Sequence, residues 1–219
     1  MSYELDHVFV CCAPGAPEAA LLGGLGLREG SANTHPGQGT ACRRFFFATF
    51  YLELLWVSDA AEAQSPLTAP TRLFERWTAR AGAASPFGLV LRPGANPAAT
   101  APFSTWPYRP AYLPPGLSID VAQATPLTEP ALFYLGFQRG QARGASEPRE
   151  HALPKSAVTS VALGLRARPP WSAPLTALQK LGLVALEATG TDVLEIGFDQ
   201  ERRGQRADLR PGLPLVLRW

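Results

Sequence analysis

Two stretches far apart in this chain close a short helical segment in the same way. Leu22–Leu27 and Leu178–Leu183 both read L-x-x-L-G-L. Each follows an apolar run of strand type, LDHVFV at Leu5–Val10 and VTSVAL at Val158–Leu163. Each precedes a strand-like run that carries one carboxylate, YLELLWV at Tyr51–Val57 and VLEIGFD at Val193–Asp199. Glu53 and Glu195 therefore hold the same place in two units of the same order. Repeated units of this size cannot bury their apolar faces alone and must pack against one another. The repeat thus points to an α+β chain of βαβββ units.

The elements follow from periodicity and punctuation. Leu5–Cys12 is a strand bounded by APGAP, and Glu18–Leu25 is a helix starting behind Pro17. Thr40–Ala48 and Phe50–Val57 are aromatic and aliphatic strands. Residues 70–84 place Leu73, Phe74, Trp77 and Ala81 on one helical face. Strands are expected at Pro86–Leu91 and Ala131–Phe137, with a hairpin of Trp106–Leu113 and Leu117–Ala122 around PPG. After a polar stretch come a strand at Ala157–Leu165, a helix at Pro174–Leu181, and strands at 184–188, 193–198 and 214–219. The division is 1–58 as a first unit, 59–138 as a helix plus a strand-rich middle segment that reads as a degenerate unit, 139–155 as a linker, and 156–219 as a unit repeating the first.

Composition excludes more than it selects. The 219 residues are 46% hydrophobic with a net charge of +2, long enough for a substantial core and without the field that nucleic acid or an anionic membrane requires. Three cysteines, two of them adjacent, make a poor disulfide framework. The N-terminal MSYELDHVFV has two acids and no basic region, unlike a secretory signal, and no apolar run approaches a membrane span. The expectation is a cytoplasmic protein.

The order LDHVFV, GLGLREG, HPGQGTACRRFFF, YLELLWV resembles the glyoxalase-like domain family of the vicinal oxygen chelate superfamily. The resemblance covers about the first quarter of the chain; the repeat extends it. It implies βαβββ units whose sheets form a curved mixed sheet around a central cleft. In metal-using members the first and last strands of each unit supply ligands, which here implies His7, Glu53, Ser160 and Glu195. It also implies a homodimer as a plausible assembly.

A carboxylate among apolar neighbours is costly unless paired, hydrogen-bonded or bound to a cation. Two carboxylates and a histidine suit a divalent metal (Zn, Ni, Mn or Fe) with open positions for substrate oxygens, and Glu53 or Glu195 is the candidate general base. Ser160 is a poor ligand and departs from the pattern, so the candidate metal set is His7, Glu53 and Glu195. His35, Thr40, Arg43 and Trp56 are candidate ligand contacts. Arg43 and Arg44 lie on opposite faces of one strand, one toward solvent and one toward a carboxylate or an anionic ligand. The HPGQGT loop lacks the Gly-Lys-Ser/Thr of a phosphate loop, and its glycines suit a tight turn. Phe103, Trp106, Tyr108 and Tyr112 form either core or the roof of a pocket. The expected function is a glyoxalase- or dioxygenase-like metalloenzyme acting on a small oxygenated molecule; the alternative is a metal-free sequestering or resistance-type binder of the same fold.

Overall fold

The computed structural model describes residues 2–95, 100–138, 147–152 and 158–219. In chain order it contains β1 (Tyr3–Cys11), α1 (Ala19–Gly24), β2 (Asn33–His35), β3 (Thr40–Phe46), β4 (Tyr51–Val57), α2 (Ala60–Ala63), α3 (Leu73–Thr78) and β5 (Phe87–Pro93). Then follow β6 (Thr105–Tyr108), β7 (Ile119–Ala122), β8 (Ala131–Tyr134), β9 (Val158–Leu165), α4 (Ala173–Leu181), β10 (Ala185–Ala188), β11 (Val193–Phe198), β12 (Arg206–Asp208) and β13 (Leu215–Arg218). Most of the expected linker, residues 139–146 and 153–155, lies outside the described residues. None of the described helices is long and apolar enough to cross a membrane.

The strands form two sheets. The larger has the order β2-β3-β4-β1-β5-β8-β7-β6, and the smaller β10-β9-β11-β13-β12. The α+β class and the curved mixed sheet read from the sequence are both present. In the larger sheet β1 runs parallel to β4 and antiparallel to β5, and β5 runs parallel to β8. That order is symmetric about the β1–β5 seam. The middle segment is therefore the partner of the first unit, and their strands share one sheet.

The C-terminal unit begins β-α-β-β like the first but has one strand more, and its pairing differs. Glu53 stands on a strand parallel to that of His7. Glu195 stands on β11, which is antiparallel to the Ser160 strand β9. Positions equated by sequence order are not equated in space.

Alternation sorts the residues of the larger sheet. Val8, Val10, Phe45, Leu52, Leu54, Leu89, Leu91 and Leu132 point to its back and pack with Leu22 of α1 and with Leu163, Leu194, Ile196 and Leu217 of the smaller sheet in one buried cluster. A second cluster, with Phe9, Cys11, Cys42, Leu55, Val90 and Phe133, lies on the front and forms the floor of the cleft. Leu73 of α3 closes it.

Two expectations of local structure change. The helix over 70–84 is confined to six residues, because Arg72 adopts φ 58° and separates α3 from a 3-10 turn at Ala69–Thr71. The middle hairpin forms, with Thr105 opposite Ala122 and Tyr108 opposite Ile119, but its strands are shorter than the apolar pattern. The helix α4 is framed as its sequence suggests. The Ser172 side chain accepts from Leu175 N–H, Pro174 sits in the first turn, and Gly182 ends the helix at φ 67°.

Candidate functional site

The site begins with an irregularity in β1. Pairing with β5 runs Leu5 to Leu91 and then His7 to Val90, so Asp6 is the extra residue of a β-bulge. The bulge switches the facing of the strand. Tyr3 and Leu5 pack on the back with Val8 and Val10, whereas Phe9 and Cys11 lie on the front. Strict alternation, which would put Leu5 on the His7 face, does not hold.

With Asp6 and His7 brought to the same side, His7 Nδ1–H donates to Asp6 Oδ2 at 2.7 Å. The Asp6 side chain is fully buried. Arg92 reaches Asp6 Oδ1 at 3.5 Å and Glu4 Oε2 at 2.9 Å. On the other edge of the imidazole, His7 Nε2 stands 3.3 Å from Glu53 Oε2. Tyr51 stacks on the His7 ring at 4.2 Å. A chain of polar contacts thus runs Glu4, Arg92, Asp6, His7, Glu53. It fixes the ring, with Nδ1 turned to Asp6 and Nε2 turned to Glu53.

His7 and Glu53 open into a cavity of about 230 Å³. One wall is polar and comes from the first unit: His7, Asn33, His35, Gln38, Arg44 and Glu53. The other is mostly apolar and comes from α3 and the middle segment: Leu73, Val90, Tyr108, Leu113, Ile119, Phe133, Leu135 and Phe137. Cavities of this kind hold a small molecule by its apolar body and orient it by a few polar groups.

The HPGQGT loop is held by the protein itself. Gly37 N–H donates to Glu62 at 2.7 Å, and Thr68 Oγ1 donates to the Gly37 carbonyl at 3.0 Å. Gln38 donates to Thr40 Oγ1 at 2.7 Å and accepts from Tyr112 OH at 3.0 Å. His35 Nδ1 lies 2.9 Å from Thr40 Oγ1. Burial holds the His35 imidazole below its ordinary pKa, in the neutral form a ligand must have. His35 lines the cavity, and Thr40 stands behind it.

Three other expected residues lie elsewhere. Arg43 points to the back of β3, paired with Glu29 and donating to the Ala16 carbonyl at 3.2 Å. Arg44, its neighbour, lines the cavity and donates to Ser31 O at 2.8 Å. Trp56 packs against the rear core, as its opposite parity to Glu53 on the strand requires. Glu195 is in the smaller sheet, ion-paired with Arg218, and is not among the residues lining the cavity. His7, Glu53 and Glu195 are therefore not assembled as one ligand set. Ser160 donates to Glu201 at 3.2 Å, also away from the cleft.

The register shows what stands across the seam from His7 and Glu53. Val90 is opposite His7 across the seam. Phe9, which neighbours Glu53, faces Gly88, whose neighbour on β8 is Ala131. Val90 and Phe133, which line the cavity from β5 and β8, carry no metal-ligating atoms, so a two-sided, four-ligand metal set does not fit this cleft. A one-sided set does: His35, Cys42 and Glu53 each offer a donor atom, all within 4.8 Å of one another. Asp6, Arg92, Arg44 and Cys42 were not singled out by sequence as site residues. The run FGLVLRP gave no signal for Arg92, and the bulge concealed Asp6.

Residues 5–103 match the family model described as a glyoxalase-like domain. That stretch runs from β1 through β5, and the match is consistent with the vicinal oxygen chelate superfamily. The whole chain is similar in fold to the crystal structure of a hypothetical protein from Staphylococcus aureus, with TM-score 0.52 and 10% identity over 100% of this chain and 98% of that one. No curated protein matches the sequence.

Proposed function

We propose that the cleft between the first unit and the middle segment binds a small oxygen-bearing organic molecule and that His7 moves a proton on it, with Glu53 as its partner. The reaction class is that of a glyoxalase-like lyase or isomerase. The observation that carries the reading is the chain Asp6–His7–Glu53, fixed at 2.7 and 3.3 Å and ending in a cavity with one apolar wall. Asp6 holds the imidazole in place, Glu53 and His7 share the proton that moves, and the apolar wall positions the ligand body and excludes water. A divalent cation, where bound, would be held by Glu53 with His35 and Cys42 and would polarise a ligand oxygen as a Lewis acid.

A second reading is a metal-free sequestering protein. It is favoured by Val90 and Phe133, which line the cavity from β5 and β8 without any metal-ligating atom. A small-molecule partner is common to both readings; pairing of two copies rests on the family resemblance alone.

Deuterium exchange separates the readings. Small carbonyl compounds that raise the melting temperature are incubated with the protein in D2O, and loss of the proton beside the carbonyl is followed by NMR. Catalysed exchange should fall by roughly 10²- to 10⁴-fold in Glu53→Gln and His7→Gln. Binding without catalysed exchange in the unaltered protein would leave the sequestering reading.

A further inference from the structure

We infer that His35, Cys42 and Glu53 form a mixed nitrogen, sulfur and oxygen site for a thiophilic divalent cation of the zinc type. The three stand on adjacent strands β2, β3 and β4, and their donor atoms lie within 4.8 Å of one another. Cys42 is wholly buried, and its sulfur lies within 4.8 Å of a Glu53 carboxylate oxygen. Burial and that carboxylate push the thiol strongly toward its protonated form when nothing else is bound. A carboxylate, an imidazole and a thiol packed together in a largely apolar floor are satisfied best by a shared cation. Thiolate excludes magnesium and calcium as the preferred ions, and the N, S, O set suits zinc.

Binding breaks the Cys42 S–H bond, forms a sulfur–metal bond, and releases one proton to solvent. Glu53 and His35 also line the cavity, so the remaining coordination position faces the ligand. His7 is outside the triad and stays available for proton transfer. The site deepens the proposed function, sharing its cleft and Glu53, and is tested apart from proton transfer.

The test uses the full chain purified without chelator or nickel resin and titrated with cobalt(II) under anaerobic conditions. One cobalt should bind per chain with a thiolate-to-cobalt charge-transfer band in the near ultraviolet, and zinc should displace it. Cys42→Ser should lose the band and bind cobalt at least about tenfold more weakly. His7→Gln should keep the band. Circular dichroism checks that the variants fold, with Cys42→Ala as the second variant. No binding, binding without the band, or a band that survives loss of Cys42 overturns the site. Binding lost in His7→Gln but intact in Cys42→Ser also overturns it and moves the ion to the His7–Glu53 pair. Deuterium exchange measured with chelator present reports on the proton-transfer reading separately.

Discussion

The side chains of Asp6 and His7 are hydrogen-bonded at 2.7 Å although the two residues are consecutive on one strand. Neighbours on a regular strand point to opposite faces and cannot meet in this way. The bulge at Asp6 is what allows it, and it places a buried carboxylate behind the imidazole that faces the cavity.

Removing that carboxylate should be costly. Asp6→Ala leaves Arg92 with Glu4 alone and the His7 N–H without an acceptor, and should lose about 3 kcal/mol of stability. Asp6→Asn keeps an acceptor oxygen and should lose about 1 kcal/mol. Urea unfolding measures both. Equal and negligible losses would show that the chain from Glu4 to Glu53 contributes nothing to the fold.

The HPGQGT loop depends on its second glycine. Gly39 has φ +71°, and a Cβ there would stand 2.2 Å from the Asp59 carbonyl oxygen. Gly39→Ala should therefore destabilise by about 3 kcal/mol, combining backbone strain with a backbone clash. Gly190 has φ +77° with nothing within 4 Å, so Gly190→Ala isolates the backbone part, about 1 kcal/mol. Thermal melts of the two variants should differ clearly.

His151 predicts a pH dependence. Its Nδ1 accepts from Arg28 N–H at 3.0 Å, and its Nε2–H donates to Phe46 O at 2.9 Å, a pattern only the neutral ring can make. Burial lowers its pKa from the ordinary 6.5, and the Phe46 bond offsets this in part. The unfolded chain thus takes up the proton first as pH falls. Stability is fully present above about 6.5 and declines below it, until the folded-state pKa is passed. His35, also lowered, acts in the same direction. Melting temperatures from pH 8 to pH 5 should fall less in His151→Gln than in the unaltered protein.

Arg76 ties α3 to the chain before β8. Its Nη1 donates to the carbonyls of Ser85 at 2.7 Å and Glu129 at 2.8 Å, and burial brings its pKa down to about 10. Arg76→Met should lose about 3 kcal/mol, because it strands buried carbonyls. Arg76→Lys should recover part of that, since an ammonium can donate but cannot span the same fork. Denaturation midpoints give the order.

Much of the local structure was legible in the chain. The strand β4 is a near-continuous apolar run, and α4 carries its own Ser172 cap and Gly182 stop. His7, Glu53 and His35 were found as candidates and all line one cavity. Other site residues were not found, for identifiable reasons. Asp6 was hidden because alternation assumes no bulge. Arg44 and Arg43 are neighbours of identical chemistry, and only the register of β3 against β4 assigns Arg44 to the front. Cys42 reads as a small apolar residue in its strand, and its significance comes from Glu53 on the next strand.

The sequence by itself determined the α+β class and the apolar faces of its elements, because side-chain period and turn chemistry are local properties. Only the tertiary structure decided which units share a sheet. Strand pairing is a nonlocal choice, made by the fit of apolar faces and by register, and the order of elements along the chain does not encode it. That choice separates Glu195 from Glu53, puts Val90 opposite His7, and leaves the cleft polar on one wall and apolar on the other.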